Sequence, residues 1–249
     1  MPHTNAASGT NIEEVADGIY RINTPVTIPG GAFSFNQYLV LDEEPLLFHT
    51  GPRGIFPFVS EALATVMPID RLRWVGFSHW ESDESGALNA LLAAAPRAEP
   101  LCGRVNAMIN ADGMDRPPRA LADGEALPLG RRVVRWLDAP HVPHAWECGY
   151  LMEETTKTFL CGDLFTQPGP GTAALTTGDV LGPSDAFLDP IDYWAYAKGT
   201  RAHLERFASL APTTLACMHG SAFSGDGATL LQGLAQALEQ RAANSRSPL

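Results

Sequence analysis

One stretch of the chain, residues 77–92, constrains the fold more than any other. It reads FSHWESDESGALNALL and follows an apolar run at 72–77 that predicts a buried strand. An Ala/Leu-rich helix is predicted to begin near Gly86, with Ser85 as its cap. Between the strand and the helix stand four side chains of metal-ligand type: His79, Glu81, Asp83 and Glu84.

Such a cluster of acids is costly in a strand-to-helix loop. The like charges repel one another, and each carboxylate loses hydration as the loop packs against the fold. Any one of these acids, taken singly, would be expected to face water. The whole H-x-E-x-D-E pattern instead predicts a bound cation, because a cation offsets both costs.

The run S-H-W-E-S-D-E-S-G-A-L resembles the metal motif of the metallo-β-lactamase superfamily. It is most similar to the iron-carrying branch, which holds the flavodiiron proteins and the oxygen-binding diiron proteins. Hydrolytic branches typically read H-x-H-x-D-H, whereas this chain has Glu81 and Glu84 at the second and last histidine positions. Flavodiiron proteins share the first of these changes, and stand-alone oxygen-binding diiron proteins resemble this chain in both.

The resemblance implies an α/β fold, a four-layer αββα sandwich of metallo-β-lactamase type. We expect residues 1–10 to be a loose tail and residues 11–249 to form a single domain. The early strands and the stretch N-Q-Y-L-V at 36–40 agree with the superfamily pattern. Relatives commonly end the next strand in D-x-G, but this chain reads His49-Thr50-Gly51 there. His49 is predicted either to make a hydrogen bond at the strand end or to approach the metal.

A second candidate ligand group lies around a predicted hairpin at 148–161. A strand runs into D-A-P-H-V-P-H-A-W, and the hairpin ends at Gly162-Asp163. The resemblance implies that Asp163 bridges two metal ions. His144 and His141 compete for the preceding ligand position; the shorter spacing to Asp163 favours His144, and we expect His141 to line the pocket.

The last group follows another buried strand, 213–218, which ends at His219. A loop and a helix beginning near Ala228 come next, so this unit repeats the strand–histidine–loop–helix order seen at His79. The similarity of the two units indicates either a fold of two related halves or a chance match. In the first case His79 and His219 lie at one edge of a β-sandwich.

By resemblance, His79, Glu81 and His144 would hold one metal ion. Asp83 and His219 would hold the other, and Glu84 would either bind it or leave that position open. Carboxylates in the ligand set favour iron and stabilise its oxidised form, although zinc or manganese also fit such ligands. We therefore expect a centre of two iron ions, with Glu84 and His141 as the residues that tune its reactivity.

Composition excludes some partners. The 249 residues are 45% hydrophobic and 18% charged, which suits a soluble protein with a sizeable core. A formal net charge of −11 argues against nucleic acid and anionic membranes as partners. No signal peptide and no C-x-x-C pair is seen, so a cytoplasmic protein with reduced, buried thiols is expected.

The expected function is that of a non-haem diiron protein that binds or senses dioxygen or another small molecule. Low-level reduction of dioxygen or nitric oxide would need an external electron donor, since the chain to Leu249 shows no flavin motif and leaves no room for a flavodoxin domain. The alternatives are a hydrolase of esters, lactones or thioesters and a silent metal-binding module that docks on a signalling partner. A homodimer is one option for its assembly.

Three segments bear on the surroundings of the site. Residues 56–67 and 191–210 are predicted helices, and the Gly/Pro/Thr-rich residues 166–183 are predicted to form a long loop that lies over the metals as a lid. Four aromatic residues near the ligands in sequence are candidates to line a gas pocket: Trp80, Trp146, Phe165 and Phe223.

Overall fold

Two seven-stranded mixed sheets form the centre of the molecule. The computed structural model describes residues 3–245. The first sheet runs in chain order: β1 Asn11–Ala16, β2 Ile19–Ile28, β3 Gly31–Val40, β4 Leu46–Phe48, β5 Trp74–Gly76, β6 Glu99–Gly103 and β7 Arg119–Leu121. The second has the order β12-β14-β13-β11-β10-β9-β8, with these strands: β8 Ala126–Pro128, β9 Val133–Asp138, β10 Gly149–Glu153, β11 Thr158–Gly162, β12 Leu175–Thr176, β13 Thr214–Cys217 and β14 Ala222–Ser224.

The helices cover the outer faces of the sheets. They are α1 Phe56–Ala64, α2 Ser82–Ser85, α3 Leu88–Ala94, α4 Arg104–Asn110, α5 Leu181–Phe187, α6 Thr200–Ser209 and α7 Gly227–Ser245. Short 3₁₀ turns occur at Arg53–Ile55, Ile69–Arg71 and Ala111–Gly113.

The alternation of side chains along β4 shows how the first sheet separates two cores. Leu46 and Phe48 point to the space between the sheets, where they pack with Trp136 and Leu160 of the second sheet. Leu47 points to the other face and packs under α1 and α3. Because successive residues of a strand face opposite sides, a continuous apolar run can be buried on both faces.

The second sheet is covered in the same way. Tyr150 and Phe159 on its outer face pack with Phe207 of α6 and Leu231 of α7. The layers are therefore helices, sheet, sheet and helices, which confirms the predicted α/β fold and its αββα sandwich.

Strand directions bring distant parts of the chain to one edge. Strands β4, β5 and β6 are mutually parallel in the first sheet, and β11 is parallel to β13 in the second. Parallel neighbours end at the same edge of a sheet. The connections after β5, β11 and β13, which carry the candidate ligands, therefore leave the sheets where neighbouring strands end.

The predicted helix 191–210 is only half correct, because α6 begins at Thr200. Before it, the Asp192 carboxylate accepts hydrogen bonds from the Trp194 backbone and the Tyr196 hydroxyl. Tyr196 itself has a φ of 48°, in the left-handed region. A local side-chain hydrogen bond and a left-handed residue both interrupt a right-handed helix.

The predicted loop 166–183 is also partly ordered. It contains β12, which pairs with β14 at the edge of the second sheet, and it runs into α5. The predicted helix over 56–67 ends three residues early, at Ala64. The lid role of this loop stays a prediction.

Residues 3–10 of the expected tail make a closed turn. Asn5 and Thr10 form a β-bridge, and the Thr10 hydroxyl, which is buried, bonds to Thr24. Residues 1 and 2 lie outside the described part of the chain. The division into a tail and one domain stays a prediction.

The sequence also raised the state of the cysteines and the possibility of a membrane-spanning helix. Cys102, Cys148, Cys161 and Cys217 are all buried and free. Within residues 3–245, none of the helices combines the length and the hydrophobicity needed to cross a membrane.

Candidate metal centre

Side chains from four connections meet at the edge where β5, β11 and β13 end. They form two groups whose potential ligand atoms lie within 4.8 Å of one another. The first group is His79, Glu81, His144 and Asp163, and the second is Asp83, Glu84 and His219. The structure thus brings together all six predicted ligands and Glu84, although which of them hold a metal stays a prediction.

Three side chains of the first group converge on one point. His79 Nε2 lies 2.8 Å from Glu81 Oε2 and 3.1 Å from His144 Nε2. Glu81 Oε2 is also 3.0 Å from His144 Nε2. Two imidazole nitrogens and a carboxylate oxygen at this separation form a typical ligand set for a transition metal.

Asp163 stands between the two groups. Its Oδ2 atom lies 3.6 Å from His79 Nε2, and its Oδ1 atom lies 3.4 Å from His219 Nε2. Asp83 approaches the same histidine, with Oδ2 3.4 Å from His219 Nε2. Asp163 therefore directs one oxygen to each group, the arrangement that a bridging carboxylate requires.

A glycine gives Asp163 this position. Gly162 has a φ of 52°, which glycine adopts readily and other residues do not. A Cβ atom there would lie 2.8 Å from Cε1 of Tyr150, which is too close. Gly162 is thus a local requirement of the turn that leaves β11.

Buried carboxylate oxygens provide the test of whether a metal fits. Among the described residues, nothing donates a hydrogen bond to Glu84 Oε1, Glu84 Oε2 or Asp163 Oδ1, and all three atoms are buried. Burial, together with the nearby Asp163 charge, raises the pKa of Glu84 well above its usual value. Unpartnered buried acids are costly, and cations would satisfy them, so the residues fit a metal centre.

The histidines carry the opposite electrostatic signature. Burial by itself lowers the pKa of His79, but the charge of Glu84 and the contact with Glu81 outweigh burial and raise it. Burial would raise the pKa of Asp163, yet the imidazoles of His219 and His79 hold it below its usual value. The contacts with His144 and His79 lower the pKa of Glu81 to about 2. Glu81, Asp163 and the histidines thus stabilise one another's charged forms, whereas the surroundings of Glu84 favour its neutral form.

The outer nitrogen of each candidate ligand histidine has an oxygen partner. His219 Nδ1 lies 2.9 Å from the carbonyl oxygen of Ser34, and His144 Nδ1 lies 3.1 Å from that of Tyr193. His79 Nδ1 lies 2.9 Å from the Ser78 hydroxyl. A hydrogen on Nδ1 leaves the Nε2 lone pair directed to the centre, as in metal-binding histidines generally.

The loop around His219 is held by the first sheet. Asn36 Nδ2 donates to the carbonyl oxygens of Cys217 and Gly220, each at 2.8 Å, and the Tyr38 hydroxyl donates to Cys217. The buried Arg21 guanidinium donates to the carbonyl oxygens of Gly220 and Gly171. Arg21 thus ties the 166–183 loop to the turn that follows His219.

Known structures share this architecture. The chain resembles rubredoxin:oxygen oxidoreductase from Desulfovibrio gigas with a TM-score of 0.80 and 21% identity, covering 96% of this chain and 63% of that one. It resembles the Flv1 flavodiiron core from Synechocystis sp. PCC6803 with a TM-score of 0.80 and 18% identity, over 94% and 62% of the two chains. A putative diflavin flavoprotein A 5 fragment from Nostoc sp. PCC 7120 gives a TM-score of 0.83 and 15% identity, over 96% and 98%.

The chain has the metallo-β-lactamase-like fold of flavodiiron cores. It spans less than two thirds of the length of the first two of these proteins. No family model and no curated protein sequence matches it.

Two aromatic residues that contact the candidate ligand His219 were not predicted from the sequence. The rings of Phe33 and Phe35 lie 4.4 and 5.6 Å from the ring of His219, and Phe187 stacks on Phe33. Phe33 and Phe35 are on β3, far from His219 in sequence, so only the pairing of the two sheets could have revealed them.

The four aromatic residues proposed from sequence proximity have varied surroundings. Phe165 and Phe223 are part of the core under α6 and α7. Trp146 is about half exposed, and Trp80 packs edge-on against Phe77. Their role in lining a gas pocket stays a prediction.

The two histidines of uncertain role differ in environment. His141 is exposed, has a φ of 63°, and lies in neither ligand group of the described chain. His49 is buried beneath the centre and lies 3.0 Å from the Ser78 hydroxyl through Nε2. His49 is therefore connected to the candidate ligand His79 through Ser78. The pocket role of His141 stays a prediction.

Proposed function

We propose that this chain is a non-haem diiron protein that binds dioxygen or a related small molecule. The observation that carries the proposal is the position of Asp163, with one carboxylate oxygen toward His79 and the other toward His219. It is supported by the fold, which the chain shares with rubredoxin:oxygen oxidoreductase and the Flv1 flavodiiron core.

The donor set favours iron over zinc. His79, Glu81 and His144 would hold one ion, Asp83, Glu84 and His219 the other, and Asp163 would bridge them. Four carboxylates (Glu81, Asp83, Glu84 and Asp163) carry a formal charge of −4, which balances two divalent cations at +4. Such hard, anionic ligands stabilise the oxidised form of a redox metal.

The two ligand groups would hold a pair of iron ions, which when bound would supply the redox chemistry for a small oxidant such as dioxygen. The chain's own residues would position and shield that pair. Asp163, Glu84 and the two histidines at positions 79 and 219 are buried, so water has little access from beneath the centre. Phe33 packs against the His219 ring and gives this side of the centre an apolar wall suited to a small nonpolar gas.

Glu84 gives the proposed second iron an anionic ligand where relatives usually have an imidazole. This difference adds a negative charge, and it is the feature most similar to stand-alone oxygen-binding diiron proteins. We propose that the physiological act is binding or sensing of dioxygen, and that sustained reduction of dioxygen or nitric oxide needs an external electron donor.

The test begins with protein purified without chelators. We expect one metal ion for each of the two ligand groups, predominantly iron, and an optical spectrum that changes when oxygen is admitted to the reduced protein. Nicotinamide supplied alone should give no rapid turnover.

The competing hydrolase function is tested on the same material. Metal-free protein is loaded anaerobically with zinc or with iron and assayed on a small panel of esters, lactones and thioesters, and oxygen is then admitted. Robust zinc-dependent hydrolysis without an oxygen-dependent spectral change would contradict the diiron proposal.

A further inference from the structure

His49 lies at the end of β4 in a conformation that is unusual for its residue type. Its φ is 67°, in the left-handed region, and its side chain is 1% exposed. Non-glycine residues adopt this region at an energetic cost, and such strain is concentrated at functional sites.

A continuous chain of side chains joins His49 to the metal centre. His49 Nε2 lies 3.0 Å from Ser78 Oγ, and Ser78 Oγ lies 2.9 Å from His79 Nδ1. His79 Nε2, on the far side of the same ring, faces Glu81 and His144. The connection therefore runs from His49, at the end of β4, to His79 Nε2, the atom that would bind metal.

Metal binding fixes the direction of these hydrogen bonds. If Nε2 of His79 gives its lone pair to a metal, the ring hydrogen must be on Nδ1, which then donates to Ser78 Oγ. The Ser78 hydroxyl can in turn donate to His49 Nε2. His49 can accept this bond when its ring is neutral and carries its hydrogen on Nδ1, and burial, its largest influence, lowers its pKa to about 3. That Nδ1 atom is buried and has no hydrogen-bond partner among the described residues, which is a cost of this arrangement.

His79 differs in this respect from the other two candidate ligand histidines. The Nδ1 atoms of His144 and His219 contact backbone carbonyl oxygens, which are fixed acceptors that no substitution removes. His79 instead depends on a hydroxyl that both donates and accepts. A hydroxyl has no preferred direction of its own, so a second group must set it.

The neighbouring backbone has a separate task. The Thr50 amide donates to the Glu84 carbonyl at 2.9 Å, and the Ala87 amide donates to the Thr50 hydroxyl at 3.0 Å. These bonds hold the loop that carries the acidic ligands, and they do not involve the His49 ring. The effect of the ring can therefore be tested without removing the loop's own support.

We propose that His49 is a positioning residue, which acts through Ser78 to fix the Nδ1–H form of His79 and so directs the His79 Nε2 lone pair into the metal centre. This inference rests on the proposed function, because it requires a metal at His79. In this proposal His49 and Ser78 affect metal affinity through His79, without contacting the metal themselves.

The experiment measures Co²⁺ binding to metal-free protein, by competition with a coloured chelator and by the visible spectrum of the bound ion. Ser78→Ala removes the relay, and His49→Gly removes the ring while allowing the left-handed backbone. Each should weaken binding of the first ion by about 10- to 100-fold, the usual effect of losing such a support. Because the two residues act as one unit, the double variant should be no weaker than the poorer single variant.

His49→Gln is the matched control, since its terminal amide reaches the position of the imidazole Nε2 and can accept from Ser78. It should recover most of the affinity lost in His49→Gly. Thermal unfolding of the metal-free proteins separates folding from binding, and if His49→Gly does not fold, Ser78→Ala and His49→Gln carry the test.

Wild-type affinity in Ser78→Ala would overturn the inference while leaving the diiron proposal intact, and so would additive losses in the double variant. Wild-type protein that binds no Co²⁺ would contradict the proposed function and this inference together.

Discussion

The two nitrogens of each candidate ligand histidine have different partners. Nδ1 meets an oxygen of the protein, and Nε2 faces the acidic side chains of the centre. The three Nε2 atoms therefore all point to the acidic side chains, close to Glu81 or Asp163. Of the two nearby histidines, His144 belongs to this arrangement and His141 does not.

His144→Ala should remove one of three ligands that converge at the first group. Loss of an imidazole there should lower affinity for the first metal by more than tenfold, whereas His141→Ala, a matched change of an exposed histidine, should leave affinity within about twofold. Metal content after dialysis against a weak chelator measures both. The reverse order of effects would show that His141 is the ligand.

At this scale the sequence predicted what lies close together along the chain. The alternation of His79, Glu81 and Asp83 on one loop is a local pattern, and the Gly-Asp turn at 162–163 is another. The contacts of His49 with Ser78 and of Phe33 with His219 join residues far apart in sequence. They depend on how the sheets and their connections pack, which a local pattern does not contain.

Among the elements, the turn between β3 and β4 is joined to the second sheet through the Asp42 carboxylate and a backbone hydrogen bond of Glu44. Asp42 accepts hydrogen bonds from the backbone amides of Arg132, at 2.6 Å, and Glu43, at 2.9 Å. The Glu44 amide also donates to the carbonyl oxygen of Leu129 at 2.8 Å. This contact fixes the end of the sandwich away from the candidate metal centre.

Asp42→Asn should destabilise the fold in a pH-dependent way. Burial would raise the pKa of Asp42, but the two backbone amides outweigh it and hold the pKa below 3.8, its ordinary value. A lowered folded pKa contributes stability that is present above 3.8 and is lost as the pH falls through the folded value. The variant should lose about 1–2 kcal/mol at pH 7, because one amide donor would face the Asn amide.

Urea unfolding of the metal-free proteins at pH 7 and in steps below pH 3.8 measures this difference. Glu43→Gln, at the exposed neighbouring acid, is the control and should change little. A constant difference between Asp42→Asn and wild type at every pH would show that the Asp42 charge contributes nothing.

The helices were predictable from the sequence to different degrees. The periodic segments under α1 and α3 were predicted because their apolar residues recur at helical spacing. Residues 191–199 also contain apolar residues, and they were wrongly predicted as helix. There the Asp192 side chain bonds to the following backbone, and this single local interaction competes with the helix pattern.

At the scale of the whole molecule, each half of the chain supplies one sheet and part of the centre. His79, Glu81, Asp83 and Glu84 follow β5 of the first sheet, whereas Asp163 and His219 follow strands of the second. One of the two similar strand–histidine–loop–helix units lies in each half, and their relation as repeats stays a prediction. A centre that needs both halves should stabilise the sandwich when metal is bound, since metal binds only the folded arrangement.

Asp163, as the residue proposed to be shared by two metal ions, is the most decisive of the candidate ligands. The direct measurement is the number of ferrous ions bound per chain, by anaerobic titration of metal-free wild type, Asp163→Ala, and Asp70→Ala as an exposed acidic control. Wild type and Asp70→Ala should each bind one ion per ligand group, and Asp163→Ala should lose both or keep one loosely bound ion. Full, tight occupancy of both groups in Asp163→Ala would contradict a bridged dinuclear centre.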